Sequence, residues 1–169
     1  SFALASLPQV KRVVAVEGRK ANLQRARFVQ SVIGQDKVPF VHANLQTLDL
    51  SSLGSFDAVL CLGVLYHLRQ PWRLLEKISR VTRGMLLWTH YCEEPRATVT
   101  RERYRGRLYR EWLFAFDALS GLSPASFWPT QAGLLQMLVD SGFTRTVIIE
   151  DNPKHEHGPA ITLAGYQAG

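Results

Sequence analysis

The sequence has no apolar run long enough to cross a bilayer, and its opening residues, SFALASLPQV, carry neither the basic flank nor the cleavage pattern of a secretory signal. No membrane partner is expected, and the chain reads as cytoplasmic. Cysteine is scarce: Cys61 and Cys92 lack the close spacing of a zinc or redox pair, so both are expected to be reduced thiols without chemistry of their own. Internal repeats and low-complexity tracts are missing as well. That leaves one globular domain as the expectation for 169 residues, 46% of them hydrophobic. Acidic residues are outnumbered, 14 against 20 basic, for a formal charge of +6. Much of the excess lies in an arginine-rich stretch at residues 96–110, which would suit an anionic partner. Glu102 interrupts that stretch and Glu111 follows it, as on an ordinary solvated surface.

What is present is an alternation of short apolar runs with helical periodicity. Residues 12–16 (RVVAV) have the unbroken apolar character of a strand covered on both faces, and they lead to Glu17. Leu23, Ala26, Val29 and Ile33 then recur at helical spacing, with Gly34 as the stop. Residues 38–42 and 57–62 give a second and a third strand. Pro71 opens a helix whose buried stripe is Leu74, Leu75, Ile78 and Val81, and residues 85–88 form a fourth strand. Strands and helices at this spacing imply a doubly wound, mostly parallel sheet of the α/β class. Residues 93–128 break the rhythm, and their Arg, Tyr, Trp and Phe content reads as an inserted helical lid. Thr130 then caps a helix with the stripe Leu134, Leu135, Leu138 and Val139, ending at Gly142. Residues 146–149 and 160–163 close the chain as an antiparallel hairpin.

In an open parallel sheet, ligands bind beyond the carboxyl ends of the strands. Three segments lie there: Glu17 and Gly18 after the first strand, Ala43, Asn44 and Leu45 after the second, and Leu62, Gly63, Val64, Leu65, Tyr66 and His67 after the third. An acid at the first point accepts from ribose hydroxyls, and the Asn44 amide suits an adenine edge. His67 is the best-placed base. Tyr66 stands beside it. Each has an ordinary structural reading too: a helix N-terminal charge for Glu17, a loop-bracing histidine, a half-buried core tyrosine. Trp112, Phe114, Phe116, Phe127 and Trp128 would pack the lid or wall an acceptor pocket. His155 and His157 fall in a Pro/Gly-flanked turn where exposure is the rule, and no metal is expected.

The order of these strand-end residues resembles the class I, Rossmann-like S-adenosylmethionine-dependent methyltransferases. The run Phe56-Asp57-Ala58-Val59 through Gly63-Val64-Leu65-Tyr66-His67, then Arg69 and Pro71, is most similar to the tRNA wobble-uridine carboxymethyltransferase group and its uncharacterised relatives. The resemblance implies S-adenosylmethionine as cofactor. It makes Glu17, Gly18, Ala43, Asn44, Leu45, Leu62, Gly63 and Val64 the cofactor-binding residues, and places Tyr66 and His67 at the transferred group. It makes the first visible strand the family's second, with the central first strand and the glycine loop lying before Ser1, and Ser1-Phe2-Ala3-Leu4-Ala5 as the helix after that loop. Residues 1–169 are thus expected to be a single incomplete methyltransferase domain, a fragment inactive by itself. The expected acceptor is a small or partly apolar molecule. tRNA is the alternative, and a catalytically inert Rossmann-like binding subunit is the reading from another class.

Overall fold

A computed structural model describes residues 1–111 and 117–168. A short helix α1 (Phe2–Ala5) precedes strand β1 (Ala15–Glu17), helix α2 (Lys20–Ile33) and strand β2 (Phe40–His42). β1 and β2 pair in parallel, Glu17 opposite His42. Gly34 ends α2 at φ 62°, a left-handed cap that glycine adopts without a Cβ clash. The stripe expected on α2 is only partly buried: Leu23 is, whereas Val29 and Ile33 are exposed, because a ribbon of two strands is too narrow to cover three turns of helix.

Beyond a 3-10 turn (Leu50–Leu53), strand β3 (Val59–Leu62) pairs in parallel with β4 (Gly84–His90), the two joined through α3 (Pro71–Ser79). The α3 stripe forms as its spacing dictates, with Leu74, Leu75 and Ile78 buried under the sheet beside Val81. The closing strands β8 (Arg145–Asn152) and β9 (Ala160–Tyr166) complete a four-stranded sheet in the order β3-β4-β9-β8, with β9 antiparallel to both neighbours. β1-β2 and this sheet share no ladder. Leu60 and Leu62 on the free edge strand β3 are 45% and 47% exposed. The α/β class therefore holds: β1-β2 and β3-β4, each joined through a helix, pair in parallel, and the antiparallel pairings in these two sheets are those of the closing hairpin.

One correction concerns the insertion. Apart from one 3-10 turn (Glu94–Arg96), the described part of residues 93–128 is not helical. It is a three-stranded antiparallel sheet, β5 (Val99–Arg101), β6 (Tyr104–Arg110) and β7 (Ala125–Pro129). A two-residue turn joins β5 to β6, with Glu102 at φ 53°. Trp112, Phe114 and Phe116 lie outside the described residues. Period-two alternation gives this sheet two different faces. Tyr104 and Phe127 are buried on one, their rings against Trp72 of α3. Arg107, Tyr109 and Trp128 lie on the other, turned towards the carboxyl ends of β3 and β4. Gly106 permits the close pairing, because a Cβ there would lie 2.2 Å from the Trp128 carbonyl oxygen and 2.8 Å from the Phe127 ring. β7 runs into α4 (Gln131–Asp140), whose Thr130 hydroxyl accepts from the Gly133 N–H. α4 buries Leu134, Met137 and Leu138, and Val139 faces outward.

Candidate functional site

Glu17 ends β1 half-buried, and its Oε1 accepts the Arg19 N–H at 2.7 Å. Its Oε2 has no hydrogen bond among the described residues, so one carboxylate oxygen remains for a ligand hydroxyl. Gly18 and Ala43 lie side by side, since a Cβ on Gly18 would stand 3.5 Å from the Ala43 carbonyl oxygen. Asn44 differs from expectation. Its Oδ1 accepts the Gln46 N–H at 2.9 Å in a local turn, so only its Nδ2 has no partner among the described residues. Leu45 and Val64 turn their side chains towards the core, leaving backbone groups alone for a ligand. Lys77 of α3 pins this turn by donating to the carbonyls of Leu45, Gln46 and Leu48.

Gly63 follows Leu62 at φ 75°, a conformation that costs other L-residues a Cβ clash, and the chain turns there into a 3-10 turn (Leu65–His67). That turn presents Tyr66 and His67. His67 Nδ1 lies 2.8 Å from Oε1 of Glu111, which is buried with its side chain 4% exposed. Glu111 also accepts from the Ser126 hydroxyl at 3.1 Å and the Gly121 N–H at 3.3 Å. A carboxylate only accepts, so Nδ1 carries a proton, and in the neutral imidazole the lone pair is on Nε2. Among the described residues Nε2 has no hydrogen-bond partner. The Tyr66 ring contacts His67 at 4.1 Å and His90 at 4.6 Å between centroids. Burial, then the negative charge of Glu111 and the nearby Tyr109, pushes the Tyr66 hydroxyl up from its ordinary pKa, so it stays protonated.

Behind this pair lies an aromatic wall. Trp128 stacks on His90 at 5.1 Å and on Tyr109 at 4.7 Å, and Trp88 meets His90 edge-on. His90 is buried with Nδ1 against the carbonyls of Gly158 and Pro159, and desolvation holds its pKa below the ordinary value. His155 is half-buried against Trp88 and His90 rather than exposed as its turn suggested, while His157 is exposed.

One segment ties the strand ends together. The Arg19 guanidinium donates to the carbonyls of Ser120 and Gly121, Asn22 to that of Ala118, and Gln46 to the Ser123 hydroxyl. Gly121 is so close to the His67 backbone that a Cβ would lie 2.9 Å from its carbonyl oxygen. Residues 117–123 thus cross the ends of β1, β2 and β3, and Leu122 sits over Gly18. The expected site residues therefore fall into two groups, Glu17 to Asn44 and Gly63 to His67, with this strap touching both. Glu111 and the strap escape sequence reasoning because their roles depend on contacts across 44 and about 100 positions. The parity of Glu111 with Arg107 and Tyr109 was the one available signal.

Residues 1–85 match the family model described as a methyltransferase domain. No curated protein matches the chain. Among solved structures, the N-terminal domain of EvdMO1 with SAH bound is 35% identical, with a TM-score of 0.89 over 98% of this chain and 68% of that one. EvdMO1 itself is 31% identical, TM-score 0.75, over 98% of this chain and 33% of its own. YcgJ from Bacillus subtilis shares the fold, with a TM-score of 0.67 at 14% identity over 99% and 87% of the two chains. With half of its length matched by the family model and a relative above 30% identity aligned along nearly all of it, the chain belongs to the class I S-adenosylmethionine-dependent methyltransferases.

Proposed function

We propose that this chain directs a methyl group from S-adenosylmethionine to a hydroxyl of a small acceptor, with His67 as the base and Glu111 as the residue that orients it. The observation that carries the reading is the buried Glu111 carboxylate 2.8 Å from His67 Nδ1. S-adenosylmethionine, when bound, supplies a methyl group already activated for displacement by its sulfonium. The chain offers it a half-buried acid with one uncommitted oxygen at Glu17, a side-chain-free position at Gly18 and an amide donor at Asn44.

An alcohol is a weak nucleophile and becomes a better one as it loses its proton. His67 Nε2 takes that proton, and Glu111 holds the Nδ1–H and balances the charge that the imidazole gains. Tyr66, kept protonated, donates to the acceptor oxygen or packs against its carbon frame. The aromatic wall excludes water and suits a ring-shaped, partly apolar molecule. A crystal of the EvdMO1 N-terminal domain grown in the presence of SAH and D-fucose supports a sugar-like acceptor. The arginines also favour a small molecule over tRNA, since Arg96, Arg103 and Arg105 pair with Glu93, Asp140 and Glu94.

The test is transfer of labelled methyl from S-adenosylmethionine to D-fucose and related hydroxylated rings, run beside bulk tRNA at low and moderate salt. Label on a small ring compound is expected. Label on tRNA, with retention that weakens steeply as salt rises, would replace this reading.

A further inference from the structure

We infer that the acceptor carries an oxyanion, a carboxylate or a phosphate, held by Arg107 and Trp128 on the inner face of the inserted sheet; this rests on the small-acceptor reading above. Trp128 is 3% exposed, and its Nε1–H is buried with no hydrogen-bond partner. The Nε–H of Arg107 is in the same state. The two residues are directly opposed across β6 and β7, and the guanidinium carbon lies 4.6 Å from the centre of a Trp128 ring. Two unmatched buried donors on neighbouring side chains are costly, because each has lost water without gaining an acceptor. A bound water would satisfy hydrogen bonds but not charge. Arg107 makes no ion pair among the described residues, whereas Arg96, Arg103 and Arg105 on the same insertion each have a carboxylate. Both donors ask for an acceptor-only oxygen, and the guanidinium asks for a negative one.

The place fits an acceptor. Trp128 is 5.8 Å from Tyr66 between ring centroids, and Tyr66 lies tilted against His67 at 4.1 Å, so the donors belong to the wall that faces the proposed base. Tyr109 covers the outer face of Trp128, is 38% exposed, and has no hydrogen bond on its hydroxyl among the described residues. The indole N–H lies in the ring plane, so the oxyanion meets the edge of Trp128 while Tyr109 stays stacked on its face.

The experiment compares three probes of one ring stereochemistry by calorimetric titration of the protein with SAH present: D-fucose, D-galacturonate and D-galactose 6-phosphate. At least one charged probe should bind tenfold or more tightly than D-fucose, and which one it is names the oxyanion. Arg107→Met should abolish that preference by lowering affinity for the charged probe tenfold or more, with a smaller loss for D-fucose, and Arg107→Lys should restore part of it by charge alone. Trp128→Phe keeps a ring but removes the N–H, and should cut binding of the favoured charged probe several-fold. Thermal melts of each variant establish that it is folded. Equal binding of all three probes, no binding of either charged one, or a preference that survives Arg107→Met would overturn the inference. Failure of SAH to bind, or of methyl transfer to any small acceptor, would instead overturn the proposed function.

Discussion

The donor side and the acceptor side of this site are built differently. At the ends of β1 and β2 the candidate cofactor groups are a half-buried acid, a glycine and turn backbone, set by strand ends and local hydrogen bonds only two residues apart. At the end of β3 the groups are the half-buried side chains of Tyr66 and His67, held by partners far along the chain, with buried Glu111 reaching back to His67 and Trp128 to His90 and Tyr66. Local backbone geometry suffices to hold one common cofactor. In the proposed function, selecting an acceptor and removing its proton require preorganised side chains, and the insertion supplies those that brace His67 and wall the acceptor.

If that contrast is sound, its two sides break in different ways. The largest effect is expected on the acceptor side: His67→Ala should lower the turnover rate roughly 10²–10⁴-fold, the usual contribution of a general base, with SAH affinity unchanged by titration. Next comes the insertion itself. Gly106→Ala forces a Cβ onto the Trp128 backbone and should destabilise the fold by about 2–4 kcal/mol in urea melts, since the 2.2 Å approach leaves no room for a side chain to yield. On the donor side, Glu17→Ala removes a charged acceptor worth about 1.5–3 kcal/mol, so SAH affinity should fall about tenfold or more while turnover at saturating cofactor is kept.

The smallest effect is one of pH. His90 has a folded-state pKa depressed by burial, so its neutral form is favoured in the fold. Its contribution is fully present above the unfolded histidine value of about 6.5 and is lost as pH falls through the lower folded value. Urea melts at pH 7.5 and 5.5 should therefore show a loss of stability on acidification that is smaller in His90→Asn. An identical loss in both proteins would remove His90 as the cause.

The sequence was most legible where structure is local. β1 to β4, α2 to α4, the Thr130 cap and the closing hairpin all follow from periodicity and stop signals, and the strand-end positions of Glu17, Gly63 and Tyr66 follow from them. The bulk and charge of the insertion suggest a helical lid, whereas its period is that of a strand. Arg105, Arg107 and Tyr109 recur at every second residue, the spacing of a strand, and Glu102 and Arg103 fill a hairpin turn. Glu111 was not legible as a partner of His67, because no local pattern encodes a contact across 44 positions. The exposure of Val29 and Ile33 was equally hidden, since helical periodicity marks an apolar face without saying what covers it.

The central claim is that Glu111 acts through His67, and a double-mutant cycle on single-turnover methyl transfer tests it most directly. Glu111→Gln preserves shape and removes the charge that orients and balances the imidazole. In the native background it should slow transfer by tenfold or more. In a His67→Ala background it should cost nothing further, because the group it serves is gone. An equal loss in both backgrounds would show that Glu111 supports the fold of the insertion rather than the base, and would contradict the account.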